Sequence, residues 1–245
     1  MTPAIVPARG KPADYGQEIV KRRRRLTLAK CPLEGKIVLD FGCGNGAQTA
    51  EFMQDECKIV ALDVDEGDLR ELSRHCRSQK GSSVLPVRYD GLSVPVADAS
   101  VDVVLCYEVI EHVPDERLAL REIRRVLKPG GEVVLSVPNK AWVFETHGAR
   151  LPVLPWNRVP FFSWLPKPIH AKYAKARIYR RSEIVKMLMN EALHVRSAEY
   201  ITAPMDMVQI PWLKNVLRSA IFAGDVTQVP FLSTSILVHC VKGKE

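Results

Sequence analysis

Short apolar runs and longer amphipathic stretches alternate along the middle of the chain. The apolar runs are residues 36–41, 58–63, 84–88, 101–107 and 131–137. They are rich in Val, Ile and Leu, as strands buried on both faces should be. Between them, residues 48–54, 68–80 and 114–127 have helical spacing. The last stretch opens on Pro114 and Asp115 and stops at Lys128-Pro129-Gly130-Gly131, the punctuation expected at helix ends. Outside this block, residues 15–30 predict a leading helix and 182–191 a later one, with Ser182 as cap and Glu183 in the first turn. Pro211 opens a further helix with Trp212, Val216 and Ala220 on one face. Residues 195–201 and 236–241 read as the last two strands. Strands and helices alternating at this spacing predict an α/β fold with a doubly wound, mostly parallel sheet and helices on both faces.

The first strand runs into a glycine-rich turn, Val38-Leu39-Asp40-Phe41-Gly42-Cys43-Gly44-Asn45-Gly46. Glycine lets the backbone turn sharply and approach a ligand closely. The next strand ends on Asp63, where a carboxylate can accept hydrogen bonds from ribose hydroxyls. Strand, turn and acid together point to a nucleoside-containing cofactor. The glycines are spaced G-x-G-x-G, whereas the dinucleotide fingerprint is G-x-G-x-x-G. Asp40, two residues before them, would repel a pyrophosphate and attract a cation. S-adenosylmethionine has a cationic amino group and sulfonium and no phosphate, so charge favours it over NAD.

With these motifs the chain resembles the class I S-adenosylmethionine-dependent methyltransferases, most closely in style those acting on small molecules and quinones. Residues 38–46 match that family's first motif and Asp63 its ribose-binding acid. Tyr89-Asp90-Gly91, Val94-Pro95-Val96 and residues 98–102 resemble its adenine-lining segment, and residues 127–131 the turn before its fifth strand. The resemblance covers about residues 35–138. It implies a seven-stranded sheet whose last strand, here 236–241, runs antiparallel, with insertions after strands five and six. It further implies that Asp40 and Gly42 contact the methionine portion, Asp63 the ribose and Asp90 the adenine amino group. Gly44, Gly46, Val64, Gly91 and Glu108 complete the expected cofactor set.

Glu108-Val109-Ile110-Glu111-His112 follows the fourth strand, at the sheet edge where ligands bind in open α/β folds. On a helix, Glu108, Glu111 and His112 would share one face. Such a cluster suits either a divalent cation or general acid–base work. The pattern resembles ubiquinone-pathway O-methyltransferases and small-RNA 3′-end 2′-O-methyltransferases, some of which hold a metal there. It is also common in class I enzymes with no known metal, so a polar, substrate-side role is preferred and no metal is assigned. His147, just past the fifth strand, is a further candidate base, and His147 and His170 are candidate fourth ligands. The expected catalytic set is His112, Glu111 and His147. Methyl transfer from a sulfonium is an in-line displacement, so alignment dominates and a base is needed only for a protonated acceptor.

Composition adds the remaining bounds. The 245 residues, 47% hydrophobic and 26% charged, fit one globular domain and exclude a disordered chain. We divide it into a basic N-terminal helix (1–35), a cofactor-binding half (36–138) and substrate-side insertions at 139–181 and 204–231. The six cysteines form no C-x-x-C pair, no secretory h-region leads the chain, and no apolar run is long enough for a membrane span. A reduced, cytoplasmic protein is the expectation, with contact at the inner membrane face left open. The net charge of +7 is unevenly placed. Lys21–Arg25 is a run of five cations, expected as a solvated basic face. Residues 146–182 hold eight Lys or Arg, five Pro, six aromatics including Trp156, and no acid. A greasy lid with a cationic rim would suit a lipid-like or quinone-like small-molecule acceptor at an anionic membrane surface. The alternative is an RNA methyltransferase, such as a ribose 2′-O enzyme, holding phosphates with the same cations. Nucleic acid is the less favoured partner, because no RNA-binding module and no N-P-P-Y-type signature accompanies them.

Overall fold

The computed structural model describes residues 10–78, 83–147 and 160–244. Eight strands form one sheet: β1 (Ile37–Phe41), β2 (Lys58–Asp63), β3 (Val84–Arg88), β4 (Val101–Tyr107), β5 (Leu127–Pro138), β6 (Leu193–Thr202), β7 (Val226–Thr227) and β8 (Ser233–Lys242). Their order across the sheet is β3-β2-β1-β4-β5-β8-β6-β7. The first five are parallel, and β8 lies antiparallel between β5 and β6. Seven strands are those the periodicity predicts. The eighth, β7, adds a two-residue antiparallel pairing on Tyr200 and Ile201, too short for any alternation to betray it.

The helices are α1 (Glu18–Lys30), α2 (Ala47–Phe52), α3 (Glu66–Ser78), α4 (Glu116–Val126), α5 (Lys167–Tyr173), α6 (Arg181–Asn190) and α7 (Pro211–Ala220). Alternate strand residues fall into different cores, which is why the strands read as continuous apolar runs. Leu39, Val104, Cys106, Val133 and Leu135 pack with Leu120 and Ile123 of α4 and Ile184 and Leu188 of α6. Their neighbours Val38, Val103, Leu105 and Val134 pack with Cys31, Leu33 and Phe52 on the opposite face. Each fully buried Leu or Ile contributes roughly 1.5–3 kcal/mol of transfer free energy.

Three local readings change. The N-cap of α6 is Arg180, with Ser182 inside the helix. Lys128-Pro129-Gly130-Gly131 lies inside β5 rather than before it, because the strand pairing starts at Val101↔Leu127 and resumes at Val103↔Glu132. Gly130, at φ 76°, takes up the resulting irregularity. The helix expected from Pro114 starts at Glu116, where the Asp115 carboxylate accepts from the backbone N–H groups of Arg117 and Leu118. In the first insertion, Trp156 lies outside the described residues. The part that follows carries a 3₁₀ turn at Phe162–Trp164 and then α5, which begins as the prolines thin out.

The strand order reverses direction between β1 and β4, so the loops leaving their carboxyl ends diverge and open a crevice. The site lies there.

Candidate active site

A cavity of about 1060 Å³ occupies this crevice. Gly42 leaves β1 at φ 78°, and a Cβ there would meet Val109 Cγ2 at 2.5 Å. The turn after β4 therefore presses against the glycine turn. Gly46 is required for a different reason: at φ 88°, a Cβ would meet Leu72 Cδ1 of α3 at 2.4 Å. Gly42 and Gly44 line the cavity, and Gly46 packs behind it.

Two carboxylates face the cavity from the strand ends. Asp40 is 2% exposed and accepts a 2.6 Å hydrogen bond from the Thr49 hydroxyl. Burial pushes its pKa up to about 6. Asp63 accepts from the backbone N–H of Gly44 at 2.8 Å and of Asp65 at 2.9 Å, one on each oxygen. Each oxygen keeps a second lone pair for a ligand hydroxyl. Val64, Tyr89 and Gly91 continue the wall. Asp90 does not: its Oδ1 accepts from Ser93 and Leu92 N–H groups, which lower its pKa and tie off its own turn.

The basic run at Lys21–Arg25 is solvated only in part, at Lys21 and Arg25. Arg22 is buried, and donates to the Thr202 and Phe222 carbonyls. Arg24 pairs with Asp55 at 2.6 Å, and Arg25 makes a two-pronged bond to Asp225. Arg23, also buried, reaches the cavity wall and meets Glu108 Oε1 at 2.9 Å. Nothing in the sequence distinguished Arg23 from its neighbours. Its partner lies in the β4 turn and becomes a neighbour only through folding. Glu108 also accepts from the Ser136 hydroxyl at 2.9 Å.

The segment after β4 is a turn, not a helix, because Glu108 sits at φ 57°. Glu111 and His112 are nonetheless brought together with His147. Their ligand atoms lie within 4.8 Å of one another. His112 and His147 line the cavity, while Glu111 is fully buried behind them. Glu111 Oε1 lies 3.5 Å from His147 Nε2 and 4.0 Å from His112 Nε2. Neither Glu111 oxygen has a hydrogen bond among the described residues. Burial, then the nearby Glu108 charge, raises the Glu111 pKa well above the carboxylate range. Burial lowers that of His147. His170 stands outside this group. It bonds Glu145 at 2.7 Å in a buried pair, and the other Glu145 oxygen accepts from the His147 backbone N–H.

The far wall is apolar: Trp142, Phe144, Ala203, Met205 and Met207 come from the loops after β5 and β6. Trp142, Ala203 and Met205 belong to a small core of their own with Phe222. The cavity wall thus combines acidic and glycine-rich residues with apolar ones, and carries two imidazoles 4.8 Å apart between ring centroids.

A family model described as a methyltransferase domain matches residues 39–135. A ubiquinone biosynthesis O-methyltransferase of Idiomarina loihiensis is 30% identical over 168 residues, 66% of this chain and 63% of that protein. One from Pseudomonas paraeruginosa is 35% identical over 124 residues, 48% of this chain and 52% of that protein. The chain thus spans between about half and two thirds of these curated relatives. Among solved structures, a Burkholderia thailandensis N-methyltransferase with bound S-adenosylhomocysteine aligns with a TM-score of 0.60 at 16% identity, over 93% of this chain and 80% of that one. Residues 39–135 thus form a methyltransferase domain, and the fold around it is that of the class I S-adenosylmethionine-dependent methyltransferases. Its cofactor is S-adenosylmethionine, and the donor set fits it: carboxylates for hydroxyls and a cation, and a glycine turn for close approach.

Proposed function

We propose that this protein methylates a hydroxyl of a small, apolar, phenol- or quinol-like acceptor. The observation that carries this is the imidazole pair, His112 and His147, on a cavity wall that combines acidic and glycine-rich residues with apolar ones. The named relatives, O-methyltransferases of ubiquinone biosynthesis, support the same class of acceptor.

In this reading Asp63, Val64 and Gly91 hold the nucleoside, and Asp40, Gly42 and Gly44 receive the methionine portion. Arg23 meets the methionine carboxylate, releasing Glu108 toward the amino group. The bound cofactor supplies a methyl group already activated on sulfur. A phenolic hydroxyl is protonated at neutral pH, so a base adds rate, typically 10²–10⁴-fold. His147 takes the proton, and the Glu108 and Glu145 charges favour the imidazolium. Residues 142–144 and 203–207 exclude water and align the acceptor.

A second reading concerns a divalent cation on Glu111, His112 and His147. Its support is the pair of Glu111 oxygens that are buried without a hydrogen bond. When bound, such a cation would lower the pKa of an acceptor hydroxyl. Chelation should then abolish transfer and added Mg²⁺ or Zn²⁺ restore it, whereas the base reading expects chelator to have no effect.

Peripheral attachment at the cytoplasmic membrane face belongs to this proposal. The α7 stripe supports it: Trp212 and Val216 are 67% and 52% exposed instead of packing inward. The RNA alternative loses support, since the α1 arginines are engaged by Glu108, Asp55, Asp225 and backbone carbonyls.

The deciding experiment incubates the enzyme with methyl-labelled cofactor and a catechol. Label should appear on oxygen, and His147→Asn should lower kcat about 100-fold with unchanged cofactor affinity. Label recovered only in RNA or protein would overturn the reading.

A further inference from the structure

The cations on the cavity wall differ in one respect. Arg23 is engaged by Glu108 and Lys11 is exposed, whereas Lys175, half-buried on the wall, has neither an ion pair nor a hydrogen bond among the described residues. The wall carboxylates are committed elsewhere: Glu145 to His170 and the His147 backbone, Asp206 to the first N–H groups of α1 and to Arg218.

The position of Lys175 is fixed from both sides. Two residues on, the Arg177 N–H donates to the Glu111 carbonyl at 3.3 Å, and its guanidinium to the Val113 and Pro114 carbonyls at 2.7 and 3.1 Å. Tyr179 then bonds Glu116 at 2.6 Å. On the other side, the Ala174 N–H closes α5 on the His170 carbonyl at 2.8 Å. The strand-like link between α5 and α6 is thereby strapped over the turn that carries Glu111 and His112. A lysine held in this way on the cavity wall, with no acid paired to it, leaves its ammonium available to a ligand. An anion arriving with a ligand would supply the missing partner.

We propose that Lys175 receives a carboxylate or phosphate carried by the acceptor, and so selects among acceptors that share the methylated hydroxyl. This rests on the reading of the apolar part of the cavity wall as the acceptor site. Lys175 is a specificity residue here, acting on the far end of the acceptor and not on the transferred methyl.

The test titrates the S-adenosylhomocysteine-loaded protein with benzoate, phenyl phosphate and neutral benzamide, by calorimetry. At least one anion should bind tenfold or more tightly than benzamide. Lys175→Met should bring the three within about twofold, and Lys175→Arg should retain the preference, with melting temperatures matched to the parent. The stronger of benzoate and phenyl phosphate identifies the anionic group. Equal binding of anions and benzamide to the parent protein would overturn the proposal, as would a preference that survives in Lys175→Met. Weaker cofactor binding in Lys175→Met with the anion preference intact would instead assign this lysine to the methionine carboxylate. Turnover of 4-methylcatechol and 3,4-dihydroxybenzoate is scored separately. Transfer to neither would sink the hydroxyl-methylation reading, while the titration, which needs no turnover, still decides the role of Lys175.

Discussion

Ionising Asp40 works against its own burial, since only 2% of the residue is exposed at the end of β1. Its pKa of about 6 lies above the ordinary 3.8, so ionisation costs the empty fold stability as pH rises between those values. A cationic ligand reverses the preference, because it binds the ionised form. S-adenosylhomocysteine, whose amino group is cationic, should therefore lose affinity as pH falls below about 6. Asp40→Asn should bind more weakly and show a flat profile over that range, by calorimetry at pH 5, 6 and 7. A parent profile as flat as that of the variant would remove Asp40 from cofactor recognition. Asp40 and Asp63 were legible in the sequence because strand ends and glycines fix where their side chains point. Arg23 was not, since five adjacent cations look alike until Glu108, Asp55 and Asp225 each claim one.

Helix α1 owes its place to residues far along the chain. Asp206 accepts from the Glu18 and Ile19 N–H groups at 3.1 and 3.2 Å and also pairs with Arg218 of α7. Asp206→Ala should cost about 1 kcal/mol of stability, the usual loss of a helix cap. Because α1 carries Arg23, cofactor affinity should fall with it, whereas a cap of purely local effect would lower the melting temperature alone. Helices and strands were readable wherever one periodicity ran for several turns or residues. The segment 108–113 escaped because spacings of three and four fit a tight turn as well as one helical turn, and only the backbone of Glu108 separates them. Its chemistry was still legible, since either shape collects Glu111 and His112 at the end of β4.

Across the whole molecule, charge and apolar surface are segregated together. Residues 160–182 and 207–224 contain eight Lys or Arg and no acid. Lys172, Lys175, Arg181 and Lys214 have no acidic partner among the described residues. The exposed rings of Phe161, Trp164 and Phe231 adjoin one another, with centroids 5.0 and 5.8 Å apart, and link the two insertions. Flotation with anionic vesicles should carry the protein upward, and Trp164→Ala with Trp212→Ala should reduce this at least fivefold. Recovery that ignores both the tryptophans and the lipid charge would remove the membrane from the proposal. The sequence announced the composition of this surface but not its outward direction, because an amphipathic helix normally turns its apolar stripe to the core.

The seat of β8 between β5 and β6 bears on how the chain is made. Strands β1 to β5 can pair as they emerge, but the neighbour that covers the β5 edge is the last of these eight strands to be made. Until residue 242 has been synthesised, β5 and β6 each present an unpaired edge, that of β5 largely apolar, the kind that invites association between chains. A chain stopped at residue 228 should therefore accumulate as aggregate rather than as a smaller soluble domain, and a synthetic peptide spanning 229–244, added during refolding, should recover part of the soluble material.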